Sequence, residues 1–192
     1  MRTAVLLVPL TVLALLAGCT GSDGDDDLAT CLAGEWTPDV DAQLAASDAL
    51  MAATGMSGTT AISGESVTTI DATTMSTTYT DHVVELTATL EGQTFVSTTR
   101  TNGTRSQPYT LDGDVLTVLA GDRSDLRVES TVTLDGQPLP GYDQERLQAL
   151  ASGGSAQSAR TQVTCSGDRL TLTTHETATL GVDDLTIVFT RR

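Results

Sequence analysis

Apolar and polar residues alternate along most of this chain. Val84, Leu86, Ala88 and Leu90 point one way while Glu85, Thr87, Thr89 and Glu91 point the other. Leu126, Val128, Val132 and Leu134 oppose Arg127, Glu129, Thr131 and Thr133 in the same manner. Leu170 and Leu172 alternate with Arg169, Thr171 and Thr173, and Leu185, Ile187 and Phe189 with Thr186 and Thr190. A period of two means one buried and one wet face, the habit of antiparallel strands. Threonine, plentiful here, suits strands as well. Turn signals separate these runs: Glu91-Gly92-Gln93, Asn102-Gly103, Asp112-Gly113-Asp114, Ala120-Gly121-Asp122, Asp135-Gly136 and Ser166-Gly167-Asp168. Asn-Gly is the strongest hairpin signal among them. Successive hairpins without helical crossovers predict an all-β antiparallel meander that closes into a barrel or folds into a sandwich.

The pattern changes to a helical stripe in two places. Thr37 as N-cap, Pro38 at the first helical position and Asp39 in the first turn open a helix. Val40, Leu44, Ala45, Met51 and Ala52 form its stripe, and Gly55 ends it. A short second helix is expected over Tyr142 to Leu150, ahead of Ser152-Gly153-Gly154-Ser155.

The N-terminus follows different rules. Met1-Arg2-Thr3 is followed by an almost wholly apolar run from Ala4 to Leu16, then Leu16-Ala17-Gly18-Cys19. A basic start, an apolar stretch and small residues at the cut make a secretory signal. The stretch falls short of the roughly 20 residues that span a bilayer, and Pro9 interrupts it. Leu-Ala-Gly-Cys resembles the lipobox of bacterial lipoproteins at all four positions. That resemblance implies removal of residues 1–18, a lipidated Cys19 as the new first residue, and a chain held on the outer face of a cell membrane. Two or three acyl chains on one residue give a stable anchor where a single chain would not. Residues 19–30 read as a lipidated acidic tether, whose eleven residues after Cys19 extend about 36–40 Å at most. Its Asp25-Asp26-Asp27 run lacks the spacing of a calcium loop and reads as a solvated spacer.

Two cysteines remain beyond Cys19, and an even pair in an exported chain is most simply a disulfide, Cys31 to Cys165. Isolated cysteines lack the paired spacing of a zinc site. The formal charge of −15 leaves no basic patch for nucleic acid or anionic lipid. All ten basic residues are arginine. The absence of lysine excludes a P-loop, Schiff-base chemistry and a Ser-x-x-Lys acyl-enzyme.

Residues 31–192 have the length of a single domain. Leu32-Ala33-Gly34-Glu35-Trp36 resembles the Gly-x-Trp motif that opens the first strand of lipocalins and lipocalin-like bacterial domains. Tyr109 to Leu116 and Cys165 to Leu172 resemble that group's hairpins with Gly-Asp before an apolar strand, and the ending Phe189-Thr190-Arg191-Arg192 fits it too. The helix directly after the first strand departs from the usual lipocalin order and is more like the small lipocalin-like lipoproteins of actinobacteria. The resemblance implies a lipocalin-like β-barrel with one helix after its first strand. It also implies that Trp36 packs at the closed end beneath Arg191 as a structural pair.

Candidate chemistry is sparse. His82 shares the phase of Val84 and Leu86 and is expected to face inward at the barrel mouth, whereas His175 is expected to face water. Gly55-Met56-Ser57-Gly58-Thr59 is similar to a Gly-x-Ser-x-Gly elbow but ends in threonine and follows a helix. Met51, Met56 and Met75 read as core or loop filling. The expectation is therefore no catalytic site, no metal and no cofactor. The leading function is binding a small apolar or amphiphilic ligand in a cavity lined by inward-facing Leu, Val, Ala and Thr. The alternative is an envelope structural or interaction module with a filled barrel; a hydrolase built around His82 ranks third.

Overall fold

Eight strands hydrogen-bond edge to edge until the last meets the first. The computed structural model describes residues 23–139, 159–174 and 185–192. The signal segment, Cys19, the helix expected over Tyr142 to Leu150, Ser152 to Ser155 and His175 lie outside the described residues. The elements are α1 (Asp23–Leu32), β1 (Gly34–Pro38), α2 (Val40–Ala53), β2 (Ser57–Ile70), β3 (Thr74–Leu90) and β4 (Gln93–Asp112). Then come β5 (Val115–Val118), β6 (Arg127–Leu134), β7 (Gln137–Pro138), β8 (Ala159–Ser166), β9 (Arg169–Thr174) and β10 (Leu185–Arg191). All pairings are antiparallel, and the barrel runs β1-β2-β3-β4-β5-β8-β9-β10 and back to β1. The all-β barrel with one helix after its first strand, expected from the alternation and the resemblance, is thus the fold of the chain. Eight strands enclose an interior just wide enough for side chains or one small ligand.

The long strands do two jobs. The C-terminal half of β2, the N-terminal half of β3 and the C-terminal half of β4 belong to the barrel. Their other halves continue past it as a sheet extended by β6 and β7. The register shifts between Ser63 and Glu65 on β2 and between Tyr79 and His82 on β3 mark where the sheet leaves the barrel. Bulges of this kind bend a strand and increase its twist. α2 lies over the extension, where the Ser47 and Thr60 hydroxyls share a hydrogen bond. The register sets Leu86, Ser97 and Val132 in one row beside Thr60, and Ala88, Phe95 and Leu134 in the next. Val84, Leu86 and Ala88 therefore serve the α2 side of this sheet and not the barrel interior.

Four local expectations are corrected. Asn102-Gly103 is not a hairpin; both residues sit inside β4, opposite β3. Gly103 takes a φ of 97°, and a Cβ there would lie 1.9 Å from the Asp125 carbonyl oxygen. The Asn102 side-chain oxygen accepts the Asp81 N–H at the bulge. Pairing with β3 on either side of the bulge, Gly103 with Tyr79 and Thr101 with His82, outweighs the local turn preference. Ala120-Gly121-Asp122 joins no hairpin either; Asp122 forms an isolated bridge to Ser106. At α2, the N-cap is Asp39, whose carboxylate accepts the Ala42 N–H at 3.0 Å. Thr37 and Pro38 are drawn into β1 by pairing with Thr190 and Phe189. Of the expected α2 stripe only Met51 is buried; Val40, Ala45 and Ala52 are exposed. Finally, the expected tether is not extended throughout, because Asp23–Leu32 is helical. Leu28, Cys31 and Leu32 recur at i, i+3 and i+4, one face of a helix, and Leu28 and Leu32 pack on the barrel core. Ten helical residues rise only about 15 Å.

Candidate functional site

The inward-facing residues can be followed around the barrel by register. Trp36 stands beside Thr68, Thr68 beside Thr77, and Thr77 beside Arg105. Gly34, Ile70, Met75 and Gln107 form the neighbouring row. Leu116 pairs Thr161, Leu170 pairs Phe189, and Leu172 pairs Ile187. One end of this interior is filled with Leu32, Trp36, Ile70, Tyr109, Val163, Leu170 and Phe189.

That closed end is built around Trp36 and Leu32, both with no exposed surface. The Trp36 Nε1–H donates to the Leu32 carbonyl at 2.8 Å, so the indole is buried without leaving its donor unmade. The Arg191 guanidinium carbon lies 4.3 Å from the ring centroid. Stacking of this kind contributes about 0.5–2 kcal/mol. Arg191 also donates through Nη2 to the Cys31 carbonyl at 2.6 Å and through Nη1 to the Ala33 carbonyl at 3.0 Å. It thereby ties the last strand to the end of α1. Gly34 makes room for this: its φ is 141°, and a Cβ would come within 2.6 Å of Arg191 Nη1. Only glycine meets both conditions. Cys31 and Cys165 are disulfide-bonded, with Cα atoms 6.0 Å apart, fixing α1 to β8.

The wall of the closed end is pinned at the β2–β3 turn. The Tyr109 hydroxyl donates to the Asp71 carbonyl at 2.6 Å. The Asp71 carboxylate accepts the Thr73 and Thr74 N–H groups at 2.8 and 2.7 Å, which lowers its pKa from the ordinary value. Burial, with the Asp71 charge nearby, raises that of Tyr109.

Above this end the barrel is not filled. A cavity of about 440 Å³ lies between the floor and the mouth. Met75, Leu116, Leu172, Ile187 and Phe189 give it an apolar lower part. Thr68, Thr77, Gln107 and Thr161 make a buried polar band. The Thr68 and Thr77 hydroxyls satisfy one another at 3.1 Å, as do those of Thr161 and Thr174 at 3.2 Å. Leu119 and Ala120, both exposed, lie at the mouth with Arg123, Tyr79 and His82. Though the chain has 25 acidic residues, no Asp or Glu is among the described residues lining this cavity. Two arginines are.

Arg105 was not singled out by sequence reasoning, yet it is the unusual group here. Its guanidinium carbon is 6.0 Å from the Tyr79 ring centroid, and its buried Nε–H has no hydrogen-bond partner. Among the described residues it forms no salt bridge. A buried donor left unpaired costs about 1–3 kcal/mol, more when charged. The signal available in sequence was its phase: Arg105, Gln107 and Tyr109 share one face of β4. With two polar residues among the three, that face does not read as inward.

His82 lines the cavity, half-buried, with its ring 5.5 Å from Tyr79 in an edge arrangement. Burial lowers its pKa, favouring the neutral imidazole. Ser57 of the elbow-like segment opens β2 directly after α2, the reverse of the strand-to-helix order an elbow needs. Among the described residues no three His, Cys, Asp or Glu side chains gather as a metal site. Comparison with known proteins finds no matching family model, no matching curated protein and no matching solved structure.

Proposed function

We propose that this chain is an exported lipoprotein, anchored through Cys19, whose barrel carries a small apolar or amphiphilic ligand. One observation carries the ligand reading: the interior above Trp36 holds about 440 Å³ of space. Protein interiors are otherwise close-packed, with few voids larger than a water molecule. Small-molecule sites run from about 300 to 1,000 Å³, apolar with a few placed polar groups. The alternative, an interaction module with a filled barrel, calls for an exposed apolar patch of a few hundred Å². Among the described residues only Val40 and Leu119 are large apolar side chains left exposed. That favours the carrier.

The test is titration of the protein with N-phenylnaphthylamine, a neutral apolar dye that fluoresces out of water. Saturable enhancement at one dye per chain is expected; a linear, unsaturable response sinks the carrier reading.

The anchor rests on Leu16-Ala17-Gly18-Cys19 following an apolar run. No described helix is long and apolar enough to cross a membrane. In cells fed labelled palmitate, Cys19→Ala is expected to abolish label on this protein and to leave the signal uncut. Undiminished labelling of the variant would refute lipidation at Cys19.

A further inference from the structure

We propose that the cavity selects anionic amphiphiles, with a carboxylate or similar headgroup paired to Arg105 and an apolar tail directed at the floor. The inference rests on the carrier reading and adds the class of ligand.

Three observations converge. Arg105 is directed into the barrel on the inward face of β4, lines the cavity and keeps a buried Nε–H without a partner. A guanidinium presents its donors in a planar fork suited to a carboxylate or phosphate, and an Nε–H without a protein partner fits Arg105 to bind one. Second, the lining carries two arginines and, among the described residues, no acid. In a chain of net charge −15 the described lining thus carries basic side chains and no acidic one. Arg123, which lines the mouth, has an interaction of its own, so Arg105 carries the inference. Third, the chemistry is graded along the strand. Tyr109 belongs to the core at the floor, Gln107 follows, and Arg105 stands four residues above Tyr109, about 13 Å along β4. Below Arg105 the wall becomes Met75, Leu116, Leu172, Ile187 and Phe189. One charged group above an apolar pocket describes a single-tailed amphiphile. The volume, about fifteen waters' worth, suits one tail better than the two of a diacyl lipid.

The experiment compares three ligands with the same tail: dodecanoate, dodecanol and dodecylamine. Each is titrated at low salt into the lipidated protein in nanodiscs, with empty nanodiscs as the blank. A hydrogen-bonded charge pair predicts that dodecanoate binds about 10- to 100-fold tighter than dodecanol, with dodecylamine weakest. Arg105→Gln is expected to erase the preference for dodecanoate with dodecanol still binding, and Arg105→Lys to keep part of it. Retained dodecanol binding also reports that each variant is folded, and the wild-type ratio needs no variant. Equal affinity for dodecanoate and dodecanol would overturn the anion inference and leave the carrier reading standing. So would a preference that survives Arg105→Gln. Failure of all three ligands to bind would overturn both.

Discussion

Trp36→Ala is expected to destabilise the fold by about 3–5 kcal/mol, the range for emptying a large buried aromatic site. The indole has no exposed surface, and its loss removes three things together: the packing against Leu32, the hydrogen bond to the Leu32 carbonyl, and the face on which Arg191 rests. Typical domains hold only about 5–15 kcal/mol in total, so a single substitution would consume a large share. For a domain of this size each kcal/mol moves Tm by about 2–4 °C, giving a drop of roughly 6–20 °C. Circular dichroism melts will check it, because the variant lacks the chain's one tryptophan. Trp36→Phe keeps much of the volume and should lose less than half as much. A melt of Trp36→Ala within 2 °C of wild type would show that the closed end bears little of the stability.

The second large effect concerns Cys31–Cys165. The bond spans 134 residues of sequence. In the chain-entropy model, closing so long a loop contributes about 5 kcal/mol through the unfolded state, with measured values commonly about 2–5. Replacing both cysteines with alanine, or reducing the bond, should lower the urea midpoint accordingly. The loss acts at the same end as Trp36, because Cys31 sits in α1 one residue before Leu32 and its carbonyl accepts Arg191. The two changes are therefore close enough to couple, and their combined cost should differ from the sum. An unchanged midpoint after verified reduction would mean that α1 is held by packing alone.

Much of the barrel was legible because its strands obey a strict two-residue period. In Arg169–Thr174 the apolar residues fall on one face, and Ile187 and Phe189 of the last strand pair with Leu172 and Leu170, while Val188 is buried on the opposite face. Gly34, Trp36 and Arg191 were legible as a motif, since a glycine and an arginine compete for one space there. Elsewhere local preference misled. Asn102-Gly103 favours a tight turn in isolation, but β4 pairs with β3 on either side of the bulge there and runs on through it. An acidic, short segment offered too little pattern beside its polarity for Asp23 to Thr30 to be read as anything but spacer, and Cys31 and Leu32 were read as the start of the domain. The helix's stripe gains meaning only once a floor exists to receive it. The polar wall of the cavity was least legible: threonine was expected among the lining, but Arg105 and Gln107 are polar, and a pattern that equates inward with apolar places them outside. The β2–β3 turn was missed because it contains no glycine, Asp71 capping it with its own carboxylate instead.

The helix that seals the floor also sets a direction. A lipid on Cys19 would be separated from the start of α1 by Thr20, Gly21 and Ser22 alone, a reach of about 10 Å. The blind end of the barrel would then sit over the lipid headgroups while its opening looks outward. On the carrier reading proposed above, a ligand would then enter and leave from the aqueous side and not sideways from the bilayer beneath.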